Sequence, residues 1–108
     1  MDNKCIAFGV PVTNGSIVGT IKRINEQTNP DAITKGDIIL LSNSNPIYSL
    51  FIMRSGGVVI EAGARLAHIC LIAIELGIPC ITQAFDNKLI DGQTVLLCAD
   101  EGKVYELC

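Results

Sequence analysis

The sequence has few of the residues that mark specialised classes of protein. Tryptophan is absent, and only three Phe and two Tyr occur among 108 residues, so aliphatic side chains must build the core. A single histidine and the lack of any C-x-x-C pair argue against a tetrahedral zinc site. The eight Lys and Arg residues are scattered, whereas a nucleic-acid surface needs clustered cations. We therefore expect neither a structural metal nor a nucleic-acid partner.

Long apolar runs are also missing. The longest, residues 69–74, is about a third of the roughly 20 residues that a membrane-spanning helix needs. Residues 1–4 lack the charged and hydrophobic regions of a secretion signal. We therefore expect a cytosolic (cytoplasmic) protein that does not bind a membrane. The composition, 49% hydrophobic and 18% charged, is typical of a folded globular protein, and the length predicts one domain over residues 1–108.

The five cysteines show no paired spacing. They are Cys5, Cys70, Cys80, Cys98 and Cys108. An odd number in a cytosolic chain favours free thiols. We expect Cys70, Cys80 and Cys98 to be buried as small apolar residues.

The hydrophobic pattern predicts strands that alternate with helices. Strands are predicted at residues 5–10, 16–24, 38–41, 58–60, 80–82, 94–98 and 104–107. Helices are predicted at residues 47–54 and 66–76. The alternation in the middle implies parallel pairing through right-handed crossovers, whereas both ends look antiparallel. The sequence thus predicts an α/β domain in three layers, with a central mainly parallel sheet and an extra β layer.

Both helices have recognisable ends. Asn45 is a plausible N-cap for the first helix, and Pro46 suits its first position. Its spacing predicts an inward face of Ile47, Leu50, Phe51 and Met53. In the second helix, Gly77 is placed as a C-terminal cap and Pro79 prevents continuation.

The single histidine, His68, lies in the first turn of the second predicted helix. One interpretation is a satisfied core residue or an exposed bystander, as most lone histidines in apolar surroundings are. However, a helix N-terminus has unpaired N–H groups and a positive dipole end, and both favour a phosphate. Gly63 and Ala64 permit close approach of the backbone to a ligand, and Arg65 adds positive charge. Because imidazole is largely neutral at pH 7, these residues permit a phosphate-accepting histidine without requiring one.

Other catalytic constellations find no support. Gly56, Gly57 and Gly63 do not form a Walker loop, because no Gly-Lys-Ser/Thr follows them. His68 and Cys70 are two positions apart on a helix and point away from each other, which argues against a Cys–His nucleophile. No serine nucleophile has a second histidine available as its base.

Residues 63–81, GARLAHICLIAIELGIPCI, resemble the phosphohistidine signature of the PEP-utilising enzymes. This family includes PEP synthase, pyruvate phosphate dikinase, enzyme I of the sugar phosphotransferase system and rifampicin phosphotransferase. Its pattern reads Gly-Gly-x-x-Ser/Thr-His-Ala-Ala-Ile-x-Ala-Arg-Glu-x-Gly-Ile-Pro-Ala-Val. Further matches occur at residues 36–40, 45–46, 57–59, 91–95 and 102–104, so the resemblance covers nearly the whole chain. Ala64, Ala67 and Ile74 depart from the pattern, which has Gly, Ser or Thr, and Arg there.

The resemblance implies a swivelling β/β/α domain that accepts a phosphoryl group on His68 and passes it between separate active sites. The implied partners are an ATP-grasp nucleotide-binding domain, a PEP- or pyruvate-binding barrel domain, or both, on separate chains. Gly63, Arg65 and Ala67 are the implied phosphate-binding residues. This domain is expected to hold no cofactor, with ATP or PEP and Mg²⁺ bound by the partner domains, so that it is not catalytically complete alone. The alternative is a non-catalytic swivelling or interaction module that has lost phosphotransfer, which Ala64 and Ile74 favour.

Overall fold

A computed structural model describes residues 4–107, which form eight strands and two α-helices. The strands are β1 (Cys5–Phe8), β2 (Val10–Pro11), β3 (Ser16–Arg23), β4 (Asp37–Leu41), β5 (Gly57–Ile60), β6 (Cys80–Thr82), β7 (Thr94–Cys98) and β8 (Lys103–Glu106). The helices are α1 (Ser49–Arg54) and α2 (His68–Leu76). Short 3₁₀ turns occupy Pro30–Ala32 and Pro46–Tyr48. Neither α-helix of residues 4–107 is long and apolar enough to cross a bilayer.

All eight strands belong to one mixed sheet, in the order β1-β8-β7-β3-β4-β5-β6-β2. The middle strands β4, β5 and β6 are parallel, as the alternation of strands and helices predicts. β3 is also parallel to β4, although no α-helix connects these two strands. The other four of the seven pairings are antiparallel. The α/β class is confirmed, but the prediction of a mainly parallel sheet is wrong. Only β7 and β8 are consecutive strands joined by a hairpin. The pairs β1–β8, β2–β6 and β3–β7 join strands that are far apart in the sequence, so no local signal gives their direction.

The sheet closes on itself at Gly9. β1 pairs with β8 at one end of the strand order, and β2 pairs with β6 at the other, yet only Gly9 separates β1 from β2. The predicted strand over residues 5–10 is therefore two short strands that join opposite ends of the sheet. The Gly9 N–H donates to the Gly102 carbonyl at 2.8 Å, and a Cβ at Gly9 would collide with the Thr82 carbonyl oxygen. The result is a barrel-like closed sheet.

Two apolar clusters lie on opposite faces of the parallel strands, because successive side chains of a strand alternate. Ile38, Leu40 and Val59 point into the barrel, towards the antiparallel strands. Ile39, Leu41, Val58 and Ile60 face the helices. The molecule thus has the three predicted layers, two of sheet and one of helix. Every residue of β4 is buried, which confirms that this strand is covered on both faces.

The first helix differs from its prediction in its inward face. Asn45 caps a 3₁₀ turn, because its side-chain oxygen accepts a hydrogen bond from the Ile47 N–H at 3.0 Å, and α1 follows. The buried residues are Tyr48, Phe51 and Ile52. Ile47, Leu50 and Met53, predicted to face inwards, are each about half exposed, at 51–52%. A 3₁₀ turn advances about 120° per residue against 100° in an α-helix, so it rotates the phase of the apolar face.

The second helix begins at His68, two residues later than predicted, and ends at Leu76. Gly77 is the C-cap, as predicted, and its φ of 69° lies in the left-handed region. Ile69, Cys70 and Ala73 anchor the helix in the core. The two ends of the described chain lie side by side, because the Glu106 N–H donates a hydrogen bond to the Lys4 carbonyl at 2.7 Å.

The described cysteines are free thiols. Cys70 and Cys80 are completely buried, as predicted. Cys98 is only half-buried, because along β7 it alternates with the buried Val95 and Leu97. Cys108 lies outside the described residues. The hydrogen bond that the Cys80 thiol donates to Cys70, together with burial, raises the pKa of Cys80, so Cys80 stays protonated.

Candidate functional site

The predicted site lies at the carboxyl ends of the parallel strands, the edge at which α/β sheets ordinarily bind ligands. Residues 61–67, here called the histidine loop, connect β5 to the first residue of α2, which is His68. His68 is exposed, and the next two residues of the chain, Ile69 and Cys70, are fully buried. The backbone that carries the imidazole is therefore anchored in the core while the ring itself faces solvent.

Gly63 holds the histidine loop against its neighbours. A Cβ at this position would lie 2.9 Å from the Cβ and Oγ of Ser44, in the loop that follows β4. The Gly63 carbonyl accepts a hydrogen bond from the Thr82 hydroxyl at 3.1 Å. The predicted close approach at Gly63 is thus to Ser44, which gives this glycine a packing role.

The Ala64 carbonyl stabilises the turn that leads from the histidine loop into α2. This oxygen accepts the Ala67 N–H at 3.1 Å, and the Cys70 thiol lies 3.6 Å from it. The Ala67 N–H is consequently occupied, and Ala67, the helix N-cap, offers no side-chain cap. By contrast, the N–H groups of Ala64, Arg65 and His68 donate to no atom of residues 4–107. These unpaired donors precede and open α2, at the positive end of its dipole.

Arg65 supplies the fixed positive charge of this region. Its side chain is exposed. The ion pairs among residues 4–107 are Arg23–Glu61 and Arg54–Asp31, and Arg65 takes part in neither. The guanidinium is therefore available to an anion at the start of α2. No acidic side chain of the described residues forms an ion pair with this guanidinium.

A charged cluster at the start of the histidine loop has no signature in the sequence. Glu61 accepts two hydrogen bonds from the Arg23 guanidinium, at 3.1 and 3.2 Å, and one from the Asn87 side chain at 3.0 Å. The hydrogen bond with Arg23 holds the pKa of Glu61 below its usual range, and the same bond raises the pKa of Arg23. These three residues lie in separate segments of the chain, so the sequence gives no sign of their contact. The only available signal was the position of Glu61 directly after a buried strand.

The surface near His68 is apolar. Leu66, in the histidine loop, is 76% exposed, and Leu71 and Ile74 on α2 are each 48% exposed. Ile74 stands where the signature pattern has arginine. Chemically, the site offers one exposed imidazole, a free guanidinium and unpaired backbone donors. Within residues 4–107, no group of three or more His, Cys, Asp and Glu side chains could hold a metal ion.

Comparisons with known proteins agree on this region. The profile of the family described as "PEP-utilising enzyme, mobile domain" matches residues 33–102, which include His68. Pyruvate kinase of Lactobacillus delbrueckii subsp. bulgaricus is 28% identical over 104 residues, 94% of this chain and 18% of that protein. Phosphoenolpyruvate synthase of Pyrococcus furiosus is 29% identical over 103 residues, 94% of this chain and 13% of that enzyme. The chain thus spans less than a fifth of the length of these curated relatives.

Two solved structures show a similar fold. Aconitase X of Thermococcus kodakaraensis superposes with a TM-score of 0.72 at 15% identity, covering 94% of this chain and 98% of the matched chain. The structure titled "N-terminal domain of Enzyme 1 - Nitrogen" gives a TM-score of 0.54 at 19% identity, covering 63% of this chain and 30% of that one. At these identities the likeness concerns the fold alone.

Proposed function

The chain belongs to the family of PEP-utilising enzyme mobile domains, and from this premise we propose that it is a phosphoryl carrier that accepts the group on a ring nitrogen of His68. The observation that carries the proposal is the placement of His68. The ring is exposed at the first position of α2, and the residues with unpaired N–H groups and the exposed guanidinium of Arg65 lie within four positions of it along the chain. A phosphoryl group on this ring meets positive charge and hydrogen-bond donors together.

The transfer is a displacement at phosphorus. The lone pair of a neutral ring nitrogen attacks phosphorus, the bond to the donor's leaving group breaks, and the leaving group departs with the electron pair. A ring proton passes to solvent or to the leaving group. In the second transfer the same nitrogen leaves phosphorus as the acceptor attacks. The helix terminus contributes about 0.3–1 kcal/mol to holding the charged group.

The proposed role of the other residues follows from the geometry. Arg65 contacts the phosphoryl oxygens, and Gly63 sets the path of the loop through its packing on Ser44. Because the Ala67 N–H already donates to the Ala64 carbonyl, Ala67 contributes through the dipole of α2. A nucleotide-binding ATP-grasp domain and a PEP- or pyruvate-binding barrel domain are the proposed partners. These partners hold ATP or PEP with Mg²⁺, so this chain alone completes no catalytic cycle.

The test treats the purified chain with potassium phosphoramidate, a small phosphoryl donor that needs no partner. We expect one acid-labile, alkali-stable phosphoryl group, detected by phosphorus NMR and intact mass. The substitution His68→Ala abolishes the label and leaves the fold intact, because the ring is exposed at a helix end. Cys5→Ser, which removes an exposed thiol on β1, keeps the label. A wild-type chain that takes up no label, or a label that persists in His68→Ala, overturns the proposal.

A second arm examines Arg65. Arg65→Ala slows phosphorylation by a factor of up to about five, which corresponds to about 1 kcal/mol for an exposed charge. Lys103→Ala, which removes an exposed cation on β8, serves as the matched control and leaves the rate unchanged. Equal rates in the wild type and Arg65→Ala remove Arg65 from the site.

A second candidate function, a swivelling or interaction module without phosphotransfer, is favoured by Ile74. An aliphatic side chain that is 48% exposed replaces the arginine of the signature. If phosphoramidate labels His68 but ATP-grasp and PEP-binding partners never do, this candidate replaces the carrier. Restoration of transfer by Ile74→Arg then identifies the missing cation as the cause.

A further inference from the structure

Thr82, the last residue of β6, is one of three buried polar residues in the described chain, with Asp37 and Ser55. The other two make hydrogen bonds within three residues of themselves: Asp37 accepts from Thr34, and Ser55 donates to Ile52. The Thr82 hydroxyl instead donates to the Gly63 carbonyl, 19 positions away in the histidine loop. A buried hydroxyl at this position ties the end of one strand to the loop that leads to His68.

This hydrogen bond fixes the orientation of a peptide group. The C=O and N–H of a trans peptide point in opposite directions. Because the Gly63 carbonyl points to Thr82, the N–H of the same peptide unit, which belongs to Ala64, points away from Thr82. Ala64 is exposed, and its N–H donates to no atom of residues 4–107. Thr82 therefore turns a backbone donor of the histidine loop away from the buried end of β6.

The segment that follows Thr82 reinforces this contact. The Ala84 N–H donates to the Ile60 carbonyl at 3.0 Å, and the Asn87 side chain donates to Glu61 at 3.0 Å. Between Thr82 and Ala84, Gln83 has a φ of 58°, a left-handed conformation that is unusual for a residue other than glycine. Contacts to residues 60, 61 and 63 thus all come from one stretch, residues 82–87.

We propose that Thr82 is a positioning residue, which orients the Gly63–Ala64 peptide so that its N–H serves the phosphoryl group on His68. This inference rests on the proposed function of His68 as phosphoryl acceptor. Thr82 does not contact the phosphoryl group itself, because its hydroxyl is buried and already donates to the Gly63 carbonyl. Its contribution lies in keeping a donor preorganised at the moment of transfer.

The experiment measures the rate of His68 phosphorylation by potassium phosphoramidate, with amide NMR as a second readout. Thr82→Val removes the hydroxyl and keeps the shape of the side chain. We expect the rate to fall by a factor of up to about five, because the helix terminus as a whole contributes no more than that, and the Ala64 amide signal to shift. Thr82→Ser, which keeps the hydroxyl, restores both. Thr82→Ala provides the same loss of the donor if the valine variant does not fold.

The matched control is Thr13→Val. The Thr13 hydroxyl also holds backbone next to β6, accepting from the Cys80 N–H at 2.8 Å and donating to the Ile78 carbonyl at 2.7 Å, but it lies at the opposite end of that strand. Rates are compared at a temperature at which all variants are folded. A wild-type rate in Thr82→Val, or equal losses in both valine variants, overturns the positioning role. A wild-type chain that takes up no label instead refutes the proposed function.

Discussion

His68 stands at a junction between an exposed loop and a helix whose next two residues are completely buried. The apolar run that follows His68 in the sequence therefore anchors the backbone that carries the histidine. Burial of Ile69 and Cys70 fixes the helix start, so the position of the ring depends on core packing and not on contacts of the ring itself. A nucleophile held in this way is accessible without being loosely placed.

Glu61 supports a prediction about pH. Its hydrogen bond with Arg23 lowers its pKa in the folded state. A carboxyl with a depressed folded pKa stabilises the protein above its unfolded pKa, about 4.3, and this stabilisation is lost as the pH falls through the folded value. We expect Glu61→Gln to lower the free energy of unfolding at pH 7 by up to about 1 kcal/mol, because Arg23 is half-exposed.

Urea denaturation at neutral pH and at about pH 3 checks this expectation, since the difference from the wild type shrinks in acid. Glu26→Gln, at an exposed loop position outside the two ion pairs of the described chain, is the control and shows no such pH-dependent loss. A Glu61→Gln difference of the same size at both pH values contradicts the ion-pair explanation.

Single residues also show how far sequence reasoning reaches. The position of His68 at a helix start follows from local signals, namely the apolar run after it and the cap at Gly77. The contacts of Glu61 with Arg23 and Asn87 do not, because they join residues 38 and 26 positions apart. Such contacts depend on how the strands are ordered in the sheet, and a single sequence carries no direct record of that order.

At the scale of elements, α1 shows how a cap can be predicted while the buried face is not. Asn45 and Pro46 start the segment as expected, but the turn they start is 3₁₀. The apolar residues of this segment are too evenly spread for their spacing to choose one face. Tertiary packing against α2 selects Phe51 and Ile52 for the core.

A pair of substitutions distinguishes the two possible faces of α1. Ile52→Ala creates a cavity at a fully buried position and should lower the free energy of unfolding by about 2–5 kcal/mol. Leu50→Ala, at a position that is 51% exposed, should cost less than about 1 kcal/mol. Thermal and chemical denaturation of the two variants provide the measurement. The reverse order of stabilities would mean that the face predicted from spacing is the buried one.

At the scale of the whole molecule, closure of the sheet is the feature that no local pattern indicates. The alternation of strands and helices predicts the parallel middle, because crossovers of this length leave little choice. The sheet closes through the pairing of β1 with β8 and of β2 with β6, and the residue that permits both pairings is Gly9. A glycine inside a strand pattern signals a bulge or a close approach, but not which partner approaches.

Gly9→Ala tests the closure. Its Cβ would meet the Thr82 carbonyl oxygen and lie 3.2 Å from the Ala84 nitrogen, both backbone atoms that cannot rotate away. We expect a loss of about 1–3 kcal/mol or more in the free energy of unfolding. Gly36→Ala is the matched control, because its Cβ meets nothing nearer than the Thr34 hydroxyl at 3.8 Å, and it should stay within about 0.5 kcal/mol of the wild type. Equal stabilities of the two variants would contradict the closed arrangement at Gly9.

The hydrogen bond between Glu106 and Lys4 has a mechanical consequence. In any longer polypeptide, the segments leading into and out of this domain meet its surface at one place, the arrangement that makes insertion of a domain into another chain easy. Two tethers at one place act as a single pivot, whereas tethers at opposite poles would restrict the body to spinning about an axis. About such a pivot the domain, whose longest dimension is 38 Å, can swing as one body without bending a strand.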